Sequence, residues 1–317
     1  MTLRQDAGLI ATVTMNPTID IAARAETVQP THKLRTYSER QDPGGGGINV
    51  TSVLTALGCP TRALLLAGGS TGRLLDELLA DRGIERHVVP IGGRTRTSHA
   101  MTDESSGHEY RFISQGPVVS EPEWTAMLEA IRTLDATWLI ASGSLPPGVP
   151  EEFYGWLASA ARARGTRFVL DTSGPPLRAA LATGGTCITL VKSSLSELES
   201  IVGRKLPDTA DQEAASLEMV RSGRTELFAL TLGDDGATLA SADGLLRLPA
   251  LDVVVNGTVG AGDSFLAGMV MALAEGRTPE DALAWGIAAG GASVMMPGTA
   301  SLDRLLVERL RRLIPLP

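Results

Sequence analysis

The chain has 317 residues, of which 43% are hydrophobic and 4% aromatic, and it carries a formal net charge of −8. This length is enough for one large α/β domain or two ordinary ones, with a core built mainly from aliphatic side chains. The acidic balance argues against a nucleic-acid-binding surface, which is normally basic, and no apolar run is long enough to span a membrane.

Short strand-like apolar runs alternate with helical patterns along most of the chain. The strand-like runs lie at 9–15, 62–68, 137–143, 166–173, 186–192 and 225–233. The helical patterns lie at 48–58, 71–83, 151–165 and 195–203, and the last third is mainly helical at 263–275, 279–296 and about 301–314. This alternation predicts parallel strands joined by crossover helices, so we expect a three-layer α/β/α sandwich with a mainly parallel central sheet.

Two segments interrupt the alternation. Residues 20–41 are polar and extended in character, and residues 94–114 have the pattern of two strands around a turn at 104–107. Neither fits a strand–helix–strand unit, so we expect a small β-sheet that covers one end of the sandwich as a lid; an ordinary surface hairpin is the alternative. Because no linker is evident, the prediction is a single domain over 1–317 with these two lid segments inserted.

Cysteine content and the amino-terminal sequence bear on the cellular compartment. The two cysteines, Cys59 and Cys187, are too few for a disulfide framework or a metal cluster, and we expect both to be buried bystanders beside strands. The amino-terminal residues show no long apolar stretch of the secretory type. We therefore expect a cytoplasmic protein.

A run of four glycines opens the first predicted helix, in "DPGGGGINV" (42–50). Its backbone is bare enough to lie against a polar ligand, and the Asn49 amide offers both a donor and an acceptor. Upstream, the extended segment 12–20 ends in Asp20. In open α/β sheets ligands bind at the carboxyl edge of the strands, where this carboxylate would suit paired sugar hydroxyls; an Asx turn is the alternative.

A second glycine-rich stretch, "NGTVGAGDSFLAG" (256–268), precedes a long apolar helix. A helix amino terminus attracts anions, and glycines allow a phosphate to approach the backbone. Asp263 would then lie beside a transferring phosphoryl group and take the proton of an attacking hydroxyl; a simple helix-capping turn is the alternative. The chain has no Gly-Lys pair for a Walker A loop, and neither glycine cluster completes a dinucleotide fingerprint.

Three motifs together resemble the ribokinase-like, or PfkB, carbohydrate kinase family over essentially the whole chain. They are "GGGGINV" (44–50), "SGSLPPG" (142–148) and "GTVGAGDSFLAG" (257–268). With "TMNPTID" (14–20) and "YRF" (110–112), the resemblance is to the phosphofructokinase branch. It implies the ribokinase-like fold and an ATP- and Mg²⁺-dependent kinase, most simply one that converts fructose 6-phosphate to fructose 1,6-bisphosphate. It also implies a homodimer in which the lid strands of two subunits form a shared sheet.

The resemblance implies a role for each matching residue. Asp263 would be the catalytic base, and the anion hole would consist of the backbone amides of Gly260, Ala261 and Gly262. The implied sugar-binding residues are Asp20, Gly45, Gly46, Asn49 and Ser144, and the implied receptors of the phosphate already on the sugar are the lid cations Lys33, Arg96 and Arg111. The implied nucleotide-binding residues are Lys192, Ser194, Thr231, Gly233, Gly236 and Thr258. Glu197 would contact Mg²⁺ through water.

Departures from the family pattern leave alternatives open. Ser194 stands where the family commonly has the Asn of an Asn-x-x-Glu motif, and Glu197 is otherwise an ordinary first-turn helix acid. Gly46 stands where fructose-1-phosphate and tagatose-6-phosphate kinases typically have lysine, which favours fructose 6-phosphate as the substrate. The alternatives are a tagatose-6-phosphate or fructose-1-phosphate kinase, or a non-catalytic homologue that binds sugar phosphate and nucleotide.

Overall fold

The computed structural model describes residues 8–182, 188–296 and 302–316; Cys187 lies outside this range. A nine-stranded sheet runs through the centre. Its strands are β1 (Ile10–Thr14), β4 (Thr61–Ala67), β5 (Arg86–Pro90), β8 (Trp138–Ser142), β9 (Arg167–Asp171), β10 (Ile188–Ser194), β11 (Thr225–Thr231), β12 (Ala237–Ser241) and β13 (Gly244–Leu248). The spatial order is β13-β12-β11-β10-β9-β8-β1-β4-β5, and all pairs are parallel except the hairpin pairs β11–β12 and β12–β13. The prediction of a mainly parallel sheet is confirmed.

Helices cover both faces of this sheet. They are α1 (Gly46–Ala56), α2 (Gly69–Asp81), α3 (Glu121–Arg132), α4 (Phe153–Ala163), α5 (Gly174–Ala182), α6 (Leu195–Val202), α7 (Thr209–Arg221), α8 (Ala261–Ala274), α9 (Pro279–Val294) and α10 (Arg304–Arg311). One apolar core lies between the sheet and the α1–α8–α9–α10 layer, and a second lies between the sheet and the α3–α7 layer. Central strands such as β1 are buried on both faces, which explains why they read as continuous apolar runs.

Close packing positions the helix that carries Asp263. Ten consecutive residues of α8, from Ser264 to Leu273, are buried, and α9 is almost as fully enclosed. A Cβ atom on Gly268 would lie 2.6 Å from the Trp285 carbonyl oxygen, so glycine lets the two helix backbones approach. None of the helices in the described ranges has the length and apolarity needed to cross a bilayer.

The two segments that interrupt the alternation form a second sheet of four strands, here called the lid sheet. It consists of β2 (Thr18–Ala25), β3 (Tyr37–Gly44), β6 (Arg96–Asp103) and β7 (Glu109–Ile113), in the order β3-β2-β6-β7. The β6–β7 pair is the antiparallel hairpin expected over 94–114. One expectation is wrong. Asp20 lies inside β2, not at the end of a central strand, because β1 stops at Thr14 before the Met15–Pro17 turn.

Candidate active site

Four polar side chains meet at the carboxyl edge of the central sheet, and we call them the edge cluster: Asn49, Asp171, Lys192 and Asp263. Asn49 lies in the first turn of α1, Asp171 is the last residue of β9, and Lys192 lies near the end of β10. Asp263 is the third residue of α8. Parallel strands all end at this edge, and α1 and α8 start there, so residues more than 200 positions apart become neighbours.

The glycine-rich stretch before α8 turns sharply into the helix. Gly260 caps α8 in the left-handed conformation (φ 79°), which glycine adopts without a Cβ penalty. The Asn49 amide donates a hydrogen bond to Asp263 Oδ2 at 2.8 Å. The carboxylate is thus fixed at the start of the helix by a side chain from α1. This hydrogen bond uses only one of the two carboxylate oxygens.

A buried ion pair lies beside this carboxylate. Lys192 Nζ contacts Asp171 Oδ1 at 3.1 Å, and the two side chains are only 12% and 11% exposed. Ser142 Oγ donates to the other Asp171 oxygen at 3.2 Å. A Cβ on Gly262 would lie 3.0 Å from Lys192 Nζ, so the ammonium lies directly against the amino terminus of α8. An ammonium beside the amino terminus of a helix is an arrangement that favours the binding of an anion.

The environment changes the acidity of these groups. Burial, reinforced by the negative charge of Asp171, raises the pKa of Asp263 to about 7, against the opposing effects of Asn49 and Lys192. Burial lowers the pKa of Lys192, but the contact with Asp171, together with the nearby charges of Glu197 and Asp263, more than offsets this and keeps the pKa above its ordinary value. The edge cluster therefore pairs a fixed positive charge with a carboxylate whose pKa suits a general base near neutral pH.

The chain as a whole has counterparts among known proteins. The sequence pattern of the pfkB family carbohydrate kinases matches residues 13–304. The chain belongs to this family. The fold is therefore that of a sugar kinase, an enzyme that transfers a phosphoryl group to a sugar hydroxyl.

Relatives with solved structures and assigned activities cover nearly the whole chain. ATP-dependent 6-phosphofructokinase isozyme 2 of Mycobacterium tuberculosis is 38% identical over 310 residues, which cover 97% of this chain and 90% of the relative. 1-Phosphofructokinase of Xanthomonas campestris is 33% identical over 270 residues, 84% of this chain and 85% of the relative. Phosphofructokinase-2 of Escherichia coli in complex with fructose-6-phosphate has a TM-score of 0.91 at 34% identity, covering 97% of this chain and 99% of that one. Its tetrameric inhibited form has a TM-score of 0.90 at 34% identity, covering 96% and 99%.

In this pfkB family chain, the residues expected to bind the sugar surround the opening glycine run. Ser98 Oγ of β6 donates to Asp20 Oδ1 at 2.5 Å, and burial raises the pKa of Asp20 despite this hydrogen bond. A Cβ on Gly44 would lie 2.1 Å from Asp20 Oδ2, and one on Gly46 would lie 2.2 Å from Ser142 Oγ. The glycines therefore leave room for Asp20 and Ser142.

The three lid cations are held differently. Arg96 donates from Nη1 to the Ser114 carbonyl and from Nη2 to the Asn16 carbonyl, both at 2.8 Å. Arg111 is exposed and paired with Glu109 at 2.5 Å. Both arginines lie close enough to Asp20 to lower its pKa. Lys33 is exposed on the connection between β2 and β3, and Ser144 is exposed after β8.

Most of the residues expected to bind nucleotide lie at the ends of β10 and β11 or in the turn after β11, and Thr258 lies just before α8. Thr231 Oγ1 donates to the Ser193 carbonyl at 3.2 Å, and the 3-10 turn that follows begins at Gly233. Gly236 has φ 88°, and a Cβ there would lie 2.1 Å from the Leu248 carbonyl oxygen, so this turn requires glycine. Thr258 is exposed, and its carbonyl accepts from the Ala261 amide at 3.4 Å.

Ser194 and Glu197 form a capping box at the start of α6. The Ser194 amide donates to Glu197 Oε2 at 2.7 Å, and the Glu197 amide donates to Ser194 Oγ at 3.4 Å. Glu197 thus has the helix-acid role given above as its alternative. It also lies near enough to raise the pKa of Lys192.

Asp171 is the member of the edge cluster that the sequence analysis missed. It closes the run "TRFVLDTS" (166–173), and an acid at the carboxyl end of a buried parallel strand is a signal that could have identified it. Asp171 accepts a hydrogen bond from Ser142, pairs with Lys192 and raises the pKa of Asp263. It therefore influences both the ammonium and the other carboxylate of the edge cluster.

The pKa of Asp263 predicts a pH dependence. A general base works only when ionised, so kcat/KM for the sugar should rise as pH increases through about 7 and then level off. Because the Asn49 hydrogen bond lowers this pKa, Asn49→Leu should move the rise to higher pH. A pH–rate series from 5.5 to 9 on both proteins measures this; coincident profiles, or no dependence near neutral pH, contradict the assignment.

Proposed function

We propose that this kinase uses ATP to phosphorylate fructose 6-phosphate, forming fructose 1,6-bisphosphate. The observation that carries the proposal is the Asp263 carboxylate, held by Asn49 at the start of α8 and next to the Lys192 ammonium. The names of the Mycobacterium tuberculosis and Escherichia coli relatives support this substrate. We propose for the sugar-binding, nucleotide-binding and catalytic residues the roles that the family resemblance implies for them.

The positions of these groups support the following proposed reaction. Asp263 accepts the proton of the sugar 1-hydroxyl as its oxygen forms a bond to the γ-phosphorus of ATP. The bond from that phosphorus to the bridging oxygen breaks, and ADP leaves. The amides of Gly260, Ala261 and Gly262, with Lys192, stabilise the negative charge of the transferring group. Asp263 then returns its proton to solvent.

Magnesium is proposed to enter with ATP. Within the described ranges, no group of three or more His, Cys, Asp or Glu side chains is arranged to hold a metal ion. This fits Mg²⁺, which keeps several waters and commonly binds through substrate phosphates, with Glu197 as the proposed water-mediated contact. When bound, the ion neutralises phosphate charge.

A phosphorylated ketohexose suits the charges around Asp20. Arg96 and Arg111 lie near this carboxylate, and a neutral sugar does not require two cations there. The crowded space at Gly46 opposes a lysine in this position, which supports fructose 6-phosphate over tagatose 6-phosphate and fructose 1-phosphate.

The substrate is tested by measuring kcat/KM for these three sugar phosphates and for ribose, by coupled detection of ADP. A higher value for another sugar overturns the substrate, and the absence of sugar-dependent ADP indicates a non-catalytic binding protein.

Arg96 provides a sharper test of the phosphate contact. Arg96→Ala should raise KM for fructose 6-phosphate about tenfold, since a charge-assisted contact to the substrate is lost, and should leave KM for ATP nearly unchanged. Arg24→Ala removes an exposed arginine of the same lid sheet, paired only with Glu104 among the described residues, and is the matched control. Equal changes in both KM values would contradict a phosphate-binding role.

The lid sheet also supports a proposed homodimer. Its two edge strands, β3 and β7, carry large exposed side chains, among them Tyr37, Tyr110, Phe112 (63% exposed) and Ile113 (67%). Unpaired edge strands with exposed apolar residues are suited to pairing with a second copy. Light scattering of the free protein should give twice the chain mass, and Phe112→Ser with Ile113→Ser should shift it toward the monomer; a monomeric wild type excludes this dimer.

A further inference from the structure

One buried amide lies where the lid sheet joins the central sheet. Asn16 is in the turn between β1 and β2 and is only 4% exposed. Its Nδ2 donates to the Gln115 carbonyl at 3.0 Å and to Ser144 Oγ at 3.4 Å. The main-chain carbonyl of Asn16 accepts a hydrogen bond from Arg96 Nη2 at 2.8 Å. Asn16 therefore contacts three chain segments that are distant in sequence.

These segments are the points at which the chain enters and leaves the lid sheet. β2 begins at Thr18, β6 begins at Arg96, and β7 ends at Ile113, just before Ser114 and Gln115. Thr18 and Arg96 are register partners in the sheet. Arg96 adds a second cross-link, since its Nη1 donates to the Ser114 carbonyl. We call Asn16, Arg96 and the 114–116 segment the lid root.

The lid root contains unpaired polar atoms and is tightly packed. Asn16 Oδ1 and Arg96 Nε are both buried without a hydrogen-bond partner among the described residues, which is costly for polar atoms. Gly116 has φ 100°, and a Cβ there would lie 2.3 Å from Asn16 Oδ1. Only glycine fits against this amide. Buried polar atoms without a partner are rare in folded proteins, so a pair of them in one place calls for an explanation, of which a functional role is one.

We infer that Asn16 is a positioning residue: its amide and carbonyl fix the lid root, so that Arg96 and Ser144 are held in place for the phosphorylated sugar. Asn16 itself does not need to touch the substrate. The main-chain carbonyl of Asn16 binds the Arg96 guanidinium, and its side-chain amide binds Ser144. The contact of the same amide with Gln115 attaches the segment after β7 to the turn that follows β1. For its substrate, this inference rests on the proposed function.

Two variants disturb the lid root from opposite sides. Asn16→Ala removes both Nδ2 hydrogen bonds, and Gly116→Ala places a methyl group against Asn16 Oδ1. Gly165→Ala is the matched control, because Gly165 has a similar positive φ of 73° but no atom within 4 Å of the added Cβ. It lies between α4 and β9, at the amino-terminal end of that strand.

The kinetic measurement is KM for each substrate, using the best sugar phosphate of the panel. We expect Asn16→Ala and Gly116→Ala to raise KM for the sugar phosphate about tenfold, the change expected when a buried hydrogen-bonded contact is lost, with KM for ATP nearly unchanged. Gly165→Ala should change neither KM. Equal increases for both substrates, or an unchanged sugar KM in both lid-root variants, overturn the inference.

Hydrogen exchange provides a readout that does not depend on activity. In the free protein, amides in 96–116 should exchange faster in Asn16→Ala and Gly116→Ala, while those in 237–248 keep their wild-type rates. If exchange in 96–116 does not change, Asn16 does not fix the lid root. If the wild type fails to phosphorylate fructose 6-phosphate, the proposed function fails, but exchange and the best alternative sugar still decide this inference.

Discussion

Asp263→Asn should reduce kcat by a factor of about 10²–10⁴, the range that general-base catalysis typically contributes, and leave the affinity for fructose 6-phosphate unchanged. The asparagine keeps the size of the side chain and its place at the start of α8 but cannot accept the hydroxyl proton. Coupled detection of ADP gives kcat, and calorimetric titration of the sugar phosphate gives the affinity. A variant that retains more than a tenth of wild-type kcat would show that another group acts as the base.

The pKa of Asp263 in the wild type also provides a check that the Asp263→Asn variant folds. The pKa of Asp263 is about 7 in the folded state, above its ordinary value of 3.8. Protonation of Asp263 therefore stabilises the folded state. This contribution is complete below pH 3.8 and is lost as pH rises through about 7. The asparagine variant should therefore melt above the wild type at pH 8, and this difference should shrink in acid. Asp211→Asn is the matched control, because Asp211 has the same helix position on α7, paired with Arg204. It should retain full activity.

Lys192→Met should reduce kcat by about 10²–10³, as expected when one preorganised group that stabilises the transferring phosphoryl is removed. The ammonium lies against the amino terminus of α8, where Gly262 leaves space for it. Without it, the pKa of Asp263 should rise further, because Lys192 lowers that pKa. The variant should therefore show both a lower plateau and an acid limb shifted to higher pH.

A second variant separates catalysis from stability. Lys192→Met leaves the Asp171 carboxylate buried without its cation, which is strongly destabilising. The double variant Lys192→Met with Asp171→Asn removes this unpaired charge, so it should recover melting temperature without recovering kcat. Lys205→Met, which removes an exposed lysine paired with Glu199, is the control and should change neither. If the double variant regains wild-type kcat, Lys192 does not act on the phosphoryl group.

The sequence determined the class of fold and the position of Asp263 at a helix amino terminus, because both depend on the pattern of residues that are close together in the chain. Continuous apolar strands predicted the parallel sheet, since strands covered on both faces have no polar side. The glycines before Asp263 predicted an acid at a helix amino terminus, and Gly260 has the positive φ that this turn requires. The two polar, extended segments predicted the existence of the lid sheet, although Asp20 belongs to β2 and not to the end of a central strand.

Only the tertiary structure decided which side chains become partners. The sheet order places β9 next to β10, and this brings Asp171 against Lys192; the crossing of α1 and α8 brings Asn49 to Asp263 across 214 positions. The tertiary structure likewise brings Asn16 to Gln115 and Ser144. Periodicity records which face of an element is buried, but it carries no information about which distant element packs on that face. Charges, hydrogen bonds and pKa values at the site depend on those distant neighbours.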